Sequence, residues 1–402
     1  MKILFSHQNF PAQFGEFALY LARAGWEVTF ATAAEQARPL PGVSILQMKP
    51  PRDPAKDAHR LAYPMERMAL NGQGFARAAL AASRQGYVPD IVVAHAGWGS
   101  GTFAKAVWPE VKYAPYAEWY YRYPYIDAVD DPDPKHAEDA RAHALARNAP
   151  MLLDLVEADF VHCPSRFQAE QFPTHIRERM TVMPDGVDLG AHAPSENPEL
   201  PDNAKGVPPD AEIVTYATRG MEPHRGFPQF MQALEILQKK RPKLHAIIGG
   251  EDRVAYGRQL PDGMTWKTRM LAELDLDPER LHWPGLLPRS QYTRLLQSSH
   301  VHVYLTVPFV LSWSFLEAMS TGCALVASDV APVREVADDQ TEALFCDLNS
   351  PEDIANRIDR LLSDRDRANA LGAAARGRVL RDFDRRWVFP ARARLLSDVV
   401  RR

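Results

Sequence analysis

The sequence predicts an α/β protein of two doubly wound parallel-sheet domains that face each other across a cleft. Three observations lead to this prediction: short apolar runs recur along the chain, helical patterns separate them, and one polar break falls near the middle. Near-continuous strands of Val, Ile and Leu that alternate with helices are typical of parallel sheets covered on both faces. The length of 402 residues also exceeds what one hydrophobic core usually serves.

Both halves of the chain show this alternation. In the first half the predicted strands are 2–7 (KILFSH), 27–32 (EVTFAT), 90–95 (DIVVAH) and 160–164 (FVHCP). Between them lie helical patterns such as 13–25 (QFGEFALYLARAG) and 140–159. In the second half the predicted strands are 212–219, 243–251, 300–306 and 324–329, and helices are expected to start near Phe227, Met264, Arg289 and Ser312.

The pattern pauses at 193–210 (APSENPELPDNAKGVPPD), which is rich in Pro, Asn and Asp and reads as a linker. We therefore predict an N-terminal Rossmann-like domain over 1–192 and a C-terminal Rossmann-like domain over 207–384. The last helix, 385–402, is amphipathic.

Composition narrows the classes of partner. The formal charge of −4 gives no overall attraction to nucleic acid. The three cysteines are far apart and show no metal-ligand spacing, and no apolar run reaches the ~18–20 residues that span a bilayer. We expect a cytoplasmic protein. Arginines near 65–85 and 385–402 fit either contact with the inner face of a membrane or solvated helix faces.

The loop after strand 212–219 reads RGMEPHRGFPQF and carries Arg219, Arg225 and Gly226 before a helix. Ligands of doubly wound domains bind outside the carboxyl ends of the strands. Two guanidinium groups, a glycine that permits close approach and a helix N-terminus together suit a pyrophosphate. The alternative is a solvated surface turn.

The stretch PFVLSWSFLEAMSTG (308–322) places a lone acid, Glu317, among apolar residues. Ser314 and Glu317 fit an S-x-x-E capping box at the start of a helix that Gly322 closes. A buried carboxylate also needs a partner, which the diol of a ribose would supply. The pattern alone leaves capping and ligand contact open.

Two loops of the first domain are further candidates. Gly15 lies near a helix start, where backbone amides could face ligand phosphates; a purely structural glycine is the alternative. His95 ends strand 90–95 and precedes AGWGSG, whose glycines flank Trp98 and allow close approach. A histidine in a satisfied structural position is the alternative.

The aromatic run 118–131 (EWYYRYPYIDAVDD) contains Glu118 and fits either packing under a loop or a wall for a sugar or acceptor. Asp131-Pro132-Asp133 has D-x-D spacing, but we interpret it as an acidic loop because no further oxygen ligands cluster nearby. We expect no metal.

The features come in a characteristic order: the R…RG loop, LLPRSQY (286–292), and S-x-x-x-LEAM-x-x-G ending at Gly322. This order resembles the nucleotide-sugar domain of family 4 glycosyltransferases, which have the GT-B fold. The first half is similar to a bacterial subgroup, group 1, through VVAHAGWGSG, EWYYR, HCPSRFQAEQFP and MPDGVD.

The resemblance implies a retaining, metal-independent transfer of a sugar from a nucleoside diphosphate to an acceptor hydroxyl. It also implies that 1–192 is the acceptor-side domain and 207–384 the nucleotide-sugar-binding domain, and that the last helix, 385–402, packs back onto the first domain. Arg219 and Arg225 match the basic pair that holds the diphosphate, and Glu317 matches the acid that binds the ribose. His95 lies where members often carry a histidine near the reacting sugar.

The resemblance also assigns the remaining donor contacts. The backbone amides of Val310, Leu311 and Ser312 match those that meet the phosphate and sugar. The turn at Gly285 and Leu286 matches the region that accommodates the base.

One position departs from the family pattern. The residue eight positions before Glu317 is usually a second glutamate that contacts the sugar hydroxyls, and here it is Phe309. An aromatic ring cannot accept those hydrogen bonds, so the identity of the sugar does not carry over. The departure also allows a form that binds a nucleotide but turns over poorly.

We therefore predict a hexosyltransferase of glycan, glycolipid or other polysaccharide biosynthesis, with a nucleotide sugar as donor and no cofactor. The acceptor is a glycan, a lipid-linked molecule or a small molecule. Two alternatives stay open: a nucleotide-sugar-binding regulatory subunit without turnover, and a nucleotide-sugar epimerase. A dinucleotide oxidoreductase is disfavoured because no G-x-G-x-x-G follows a strand.

Overall fold

The computed structural model describes residues 1–38, 40–123 and 137–402. The chain divides into two compact units. Of the described residues, unit 1 comprises those up to Asp185 together with Arg386–Arg402, and unit 2 comprises Gly186–Arg385.

Unit 1 is built on a parallel sheet whose described strands number seven. The strands are β1 (Lys2–Ser6), β2 (Glu27–Thr32), β3 (Val43–Gln47), β4 (Ile91–His95), β5 (Lys112–Tyr116), β6 (Val161–Cys163) and β7 (Met180–Val182). Their order is β3-β2-β1-β4-β5-β6-β7, so the direction of progression reverses between β1 and β4. Crevices for ligands form at such a reversal, outside the carboxyl ends of the strands.

Helices cover this sheet. They are α1 (Gly15–Arg23), α2 (Tyr63–Arg84), α3 (Ala104–Val107), α4 (Ala137–Val156), α5 (Arg166–Glu170) and α6 (Thr174–Arg177). The last helix of the chain, which begins at Arg385 and ends at Arg401, adds Val388, Phe389 and Leu396 to the core formed by β1, β2 and α1. Unit 1 thus takes part of its hydrophobic core from the far end of the sequence.

Unit 2 contains a parallel sheet with the order β10-β9-β8-β11-β12-β13 across residues 186–385, all of which the structure describes. Its strands are β8 (Glu212–Gly220), β9 (Leu244–Glu251), β10 (Leu281–Gly285), β11 (Val301–Tyr304), β12 (Leu325–Ser328) and β13 (Leu344–Cys346). Its helices are α7 (Phe227–Lys240), α8 (Trp266–Glu273), α9 (Arg289–Gln297), α10 (Trp313–Thr321), α11 (Ala331–Arg334), α12 (Pro351–Ser363) and α13 (Arg365–Asp382). Its order reverses between β8 and β11.

The predicted α/β class with two parallel-sheet domains is confirmed, and each of the eight predicted strands is present to within two residues at either end. The prediction missed β3, β5, β7, β10 and β13. These strands have three to five residues. Runs this short carry little periodicity, and Pro115 and Pro284 interrupt two of them.

The segment 193–210 does not act as a linker. The chain passes from one unit to the other between Asp185 and Gly186, before this segment begins. Ala204 is buried against unit 2, and the Asp202 carboxylate accepts hydrogen bonds from Gln291 and Arg294 of α9. Polar side chains attach the segment to unit 2. Because such contacts leave no apolar periodicity in the sequence, the composition suggested a linker.

None of the described helices combines the length and the apolar character that crossing a bilayer requires.

Candidate functional site

Unit 2 contains a cavity of about 220 Å³ at the carboxyl ends of β8, β9, β10 and β11. It lies where the strand order of the sheet reverses, which is the usual ligand position in this architecture. The cavity is lined by Tyr216, Ala217, Thr218, Arg219, Arg225, Gly249, Gly250, Tyr256, Leu286, Leu287, Tyr292, Tyr304, Leu305, Ser312 and Ser314.

Arg219 and Arg225, the two predicted anion ligands, both line this cavity. The Arg225 guanidinium donates to the Oγ1 atom of Thr306 at 2.7 Å, and Arg219 is exposed at the end of β8. Neither guanidinium group forms an ion pair with any carboxylate of the described chain. Two uncompensated positive charges at one cavity favour an anionic ligand.

The turn before α7 holds Arg225 in place. Gly226 has a φ of 63° and precedes the helix, and a Cβ there would lie 2.6 Å from the Cβ of Leu305. Glycine is therefore required for both conformation and space. The hydroxyl of Tyr216 donates to the carbonyl oxygen of Arg225 at 2.6 Å. These contacts fix the backbone from which the guanidinium extends.

The N-terminus of α10 supplies a further part of the cavity wall. Ser312 is its N-cap, and its Oγ accepts from the N–H of Ser314 at 3.4 Å. The predicted Ser314–Glu317 capping box is therefore wrong, since the helix begins two residues earlier than that box requires. Gly322 ends the helix with a φ of 79°, as predicted.

Glu317 does not line the cavity. Its carboxylate lies 3.3 Å from a guanidinium nitrogen of Arg289 and 3.3 Å from Nε2 of His192, and its side chain is 13% exposed. The Glu317 carboxylate thus has two nitrogen partners within unit 2, one from an arginine and one from a histidine. A contact with ribose remains a prediction.

Of the other residues predicted to contact the sugar donor, some line the cavity and some do not. Leu286, 63% exposed, lines the cavity directly after Gly285, which ends β10 with a φ of 75°. Phe309, Val310 and Leu311 are not among the lining residues, whereas Ser312 is. The loop between β11 and α10 therefore lines the cavity at its first residue, Leu305, and at its last, Ser312, but not at 309–311.

Phe309 instead packs beside Arg225. Its ring centroid lies 5.5 Å from that of Tyr256 and 6.3 Å from that of His224, and the guanidinium carbon of Arg225 lies 5.9 Å from the Phe309 ring. Tyr256 lines the cavity but was not predicted. Its signal was its place in the loop that follows β9, because such loops face the ligand in a doubly wound sheet.

Unit 1 has its own cluster at the carboxyl ends of β1, β4 and β5. Nε2 of His95 lies 3.1 Å from the Glu118 carboxylate, so the structure brings two predicted residues together. The imidazole rings of His7 and His95 lie 5.4 Å apart, and the Trp98 ring lies 5.9 Å from that of His7. His7 was not singled out in the sequence, although it directly follows β1.

The pKa values of the two histidines diverge. Burial alone would lower the pKa of His95, but the hydrogen bond and charge of Glu118 outweigh burial and raise it above 6.5. Burial, together with the neighbouring His95, lowers the pKa of His7 to about 4. At neutral pH His7 is therefore uncharged.

A buried carboxylate holds the glycine loop that follows His95. Asp154 is fully buried in α4 and accepts hydrogen bonds from the Gly97 N–H (2.6 Å), the Thr102 hydroxyl (2.6 Å) and the Tyr113 hydroxyl (2.9 Å). Burial raises the pKa of Asp154, and these donors oppose that change. The loop is thus attached to the helix behind it.

The remaining first-domain predictions are placed as follows. Gly15 is buried as the first residue of α1, where a Cβ would lie 2.6 Å from the Cβ of Pro11. The Trp98 ring lies 4.8 Å from the guanidinium carbon of Arg67. The aromatic run is described only up to residue 123, and Asp131-Pro132-Asp133 lies outside the described residues.

Comparisons with known proteins match both parts of the chain. The model of a glycosyl transferase family 4 group matches residues 24–191, and that of glycosyl transferases group 1 matches residues 201–378. Among curated proteins, D-inositol 3-phosphate glycosyltransferase of Nocardia farcinica is 28% identical over 206 residues, covering 50% of this chain and 43% of that protein. Alpha-maltose-1-phosphate synthase of Mycolicibacterium smegmatis is 34% identical over 104 residues, or 24% of this chain and 27% of that protein. The matches thus span less than half of each relative's length.

Solved structures resemble the whole chain. HepE of Anabaena, in complex with UDP and glucose, has a TM-score of 0.72 at 16% identity and covers 99% of this chain and 100% of its own. Sucrose-phosphate synthase of Thermosynechococcus elongatus has a TM-score of 0.73 at 17% identity and covers 99% of each chain. At these identities the likeness establishes the fold, and the fold is GT-B.

Proposed function

Because this chain belongs to the group 1 glycosyltransferases of family 4, we propose that it transfers a sugar from a nucleoside diphosphate sugar to an acceptor hydroxyl. The observation that carries the proposal is the cavity of unit 2. There Arg219 and Arg225 place two guanidinium groups without carboxylate partners among the described residues. A donor diphosphate is an anion of the size and charge that such a cavity accepts.

The arginines stabilise the departing diphosphate. As the bond to the anomeric carbon breaks, negative charge grows on the leaving oxygen. Arg219, Arg225 and the N-terminus of α10 are fixed before the reaction, so their positive charge and dipole need no reorganisation. We propose that these groups replace a metal ion in this role.

The rest of the donor is assigned by the family pattern. We place the base at Gly285 and Leu286 and the ribose at Glu317, and the backbone amides of Val310, Leu311 and Ser312 would meet the phosphate and sugar. HepE was solved with UDP and with UDP-glucose, which makes UDP-sugars the first donors to test. The transferred group is proposed to be a hexose.

We propose retention of anomeric configuration, with the acceptor attacking from the face that the diphosphate leaves. The diphosphate oxygen takes the acceptor proton. In unit 1 we assign His95 the positioning of the sugar or assistance to proton movement. The acceptor is a glycan, a lipid-linked molecule or a small molecule, consistent with polysaccharide or glycolipid biosynthesis.

A donor panel tests the proposal. The purified chain is titrated calorimetrically with UDP-glucose, UDP-N-acetylglucosamine, GDP-mannose, ADP-glucose and dTDP-glucose. We expect at least one donor to bind. With oligosaccharide, glycolipid and small polyol acceptors we expect acceptor-dependent release of the nucleoside diphosphate, unaffected by EDTA, and a product of retained configuration by NMR.

The outcomes separate the candidates. Binding of no donor, together with no transfer, contradicts the proposal. Conversion of the donor sugar without acceptor indicates an epimerase. Tight binding without turnover on any acceptor indicates the regulatory subunit.

A further inference from the structure

A buried carboxylate lies behind the cavity of unit 2 and holds one of the loops that line it. Glu222 is completely buried, three residues before Arg225. Its two oxygens accept backbone N–H groups from Ala255 (3.0 Å), Tyr256 (3.0 and 3.1 Å) and Gly257 (2.6 Å). Three successive N–H groups thus converge on one acid from another part of the chain.

This arrangement fixes the loop that carries Tyr256. A buried carboxylate without hydrogen-bond donors is unfavourable. Opening the loop would remove the donors of Glu222 and so raise the free energy of the protein. Gly257 allows the close approach, because a Cβ there would lie 3.1 Å from the Glu222 carboxylate and 3.2 Å from Nδ1 of His224. The backbone at residue 256 is therefore held although its side chain is 42% exposed.

Tyr256 in turn packs beside the Arg225 guanidinium. The guanidinium carbon lies 5.3 Å from the Tyr256 ring centroid and 5.9 Å from that of Phe309, and its NH1 donates to the Thr306 hydroxyl. Every described neighbour that orients this cation is neutral. Aromatic faces attract a cation without cancelling its charge, whereas a carboxylate would compete with an anionic ligand.

We propose that Glu222 and Tyr256 are positioning residues that preorganise Arg225 for the donor diphosphate. Glu222 fixes the loop, Tyr256 orients the guanidinium, and the Phe309 ring packs against Tyr256 and beside Arg225. The charge of Arg225 stays available because no acid among the described residues pairs with it. This inference rests on the proposed function, since the diphosphate is the group that Arg225 would bind.

Matched variants of Tyr256 test the aromatic contact. The readout is calorimetric affinity for three ligands: the tightest nucleotide sugar of the panel, its nucleoside diphosphate and its nucleoside monophosphate. Y256F keeps the ring and is expected to bind all three within about twofold of wild type. Y256L removes the ring, and we expect about three- to tenfold weaker binding of both diphosphates with the monophosphate changed by less than about twofold.

A double-mutant cycle tests whether Glu222 acts through Tyr256. E222Q places an amide nitrogen among backbone donors and loosens the loop, so we expect a loss of diphosphate affinity similar to that of Y256L. Added to Y256L, E222Q should cause little further loss, because residues that act as a unit are not additive. E342Q is the control: Glu342 is another buried acid that accepts a backbone N–H, from Asp338 at 2.8 Å, and it does not line the cavity.

The failures are distinguishable. If wild type binds no nucleotide sugar, the proposed function fails. If wild type binds and Y256L binds equally well, or if Y256L weakens all three ligands alike, the positioning role is overturned while the proposed function stands. Should E222Q not fold, the comparison of Y256F with Y256L still decides the matter, since Tyr256 is a half-exposed loop residue.

Discussion

In unit 2, the side chains of Arg225 and Glu317 differ in whether neighbouring residues compensate their charge. Arg225 has a hydroxyl and two aromatic rings as neighbours, so its positive charge remains available. The Glu317 carboxylate lies beside the Arg289 guanidinium and a ring nitrogen of His192, so partners within the protein already compensate its negative charge. A ligand hydroxyl at Glu317 would join an existing hydrogen-bond network. A ligand phosphate at Arg225 would instead meet a guanidinium group that pairs with no carboxylate of the described residues.

The His95–Glu118 pair gives a prediction at this scale. The folded-state pKa of His95 lies above 6.5, so its ion pair with Glu118 contributes stability below pH 6.5 that is lost as pH rises through the folded pKa. We expect E118Q to lower the free energy of unfolding by roughly 1–2 kcal/mol at pH 6 and by less at pH 9. Urea unfolding at both pH values measures this difference. NMR titration of His95 should show a lower pKa in E118Q, and equal losses at pH 6 and pH 9 would contradict the assignment.

At the scale of elements, each unit attaches one strand-end loop to a buried acid from another part of the chain. Asp154 of α4 holds the glycine loop after β4, and Glu222 after β8 holds the loop after β9. Loops at strand ends are otherwise free to move because few apolar contacts hold them. Buried carboxylates that accept backbone N–H groups give such loops a defined conformation.

The glycine loop provides the second prediction. In D154N one carboxylate oxygen becomes an NH₂ group facing donors that still require an acceptor. We expect the free energy of unfolding to fall by about 2–4 kcal/mol, since buried donors are left unsatisfied. D159N is the control, because Asp159 also accepts a backbone N–H from Tyr113 but lies in a more open, lysine-rich setting. A loss in D154N no larger than that in D159N would show that the loop does not depend on this acid.

Much of the element scale was predictable. Longer apolar strands such as β8 and β9, and the helix closed by Gly322, carry strong local signals. The expected start of α10 near Ser312 is confirmed, but the capping box was assigned to Ser314 because both serines are capable N-caps and only the backbone decides between them. Loop contacts such as Glu222 with residues 255–257 were not predictable, since they join segments 33 to 35 residues apart.

At the scale of the whole molecule, the sequence correctly predicted two parallel-sheet α/β domains but misplaced the point where the chain leaves unit 1. Polar composition suggested a linker at 193–210, although side-chain pairs attach that segment to α9. The site was predictable to the extent that strand-end loops carried charge, as with Arg219 and Arg225. Tyr256 and His7 were missed, although His7 ends a predicted strand and Tyr256 follows one, because neither belongs to a paired-charge or glycine-rich motif.

Buried neutral histidines give the third prediction. Burial lowers the pKa of His162 in unit 1 and of His302 in unit 2 to about 3. The unfolded chain takes up protons at both sites as pH falls below 6.5, whereas the folded chain does not until about pH 3. Each site should therefore remove about 1.4 kcal/mol of stability per pH unit in this window.

Urea unfolding at pH 7.5, 6.0 and 4.5 measures this loss. H302N should be destabilised at pH 7.5 by its altered contact with Thr215, yet its stability should fall less steeply on acidification than that of wild type. Parallel pH profiles for wild type and H302N would contradict a neutral buried His302.

The central claim is that Arg219 and Arg225 hold the diphosphate of the donor, and calorimetric affinity of arginine variants tests it most directly. We compare wild type, R219Q, R225Q and the double variant with R334Q, an exposed arginine of the same unit that pairs with Asp329. Each site variant should bind the tightest nucleotide sugar of the panel about ten- to a hundredfold more weakly, and the double variant more weakly still, while R334Q is unchanged. Wild type binding that donor well, with the double variant within about twofold of it, would be the contradictory result. These arginines would then not hold the diphosphate, and the proposed site would be wrong.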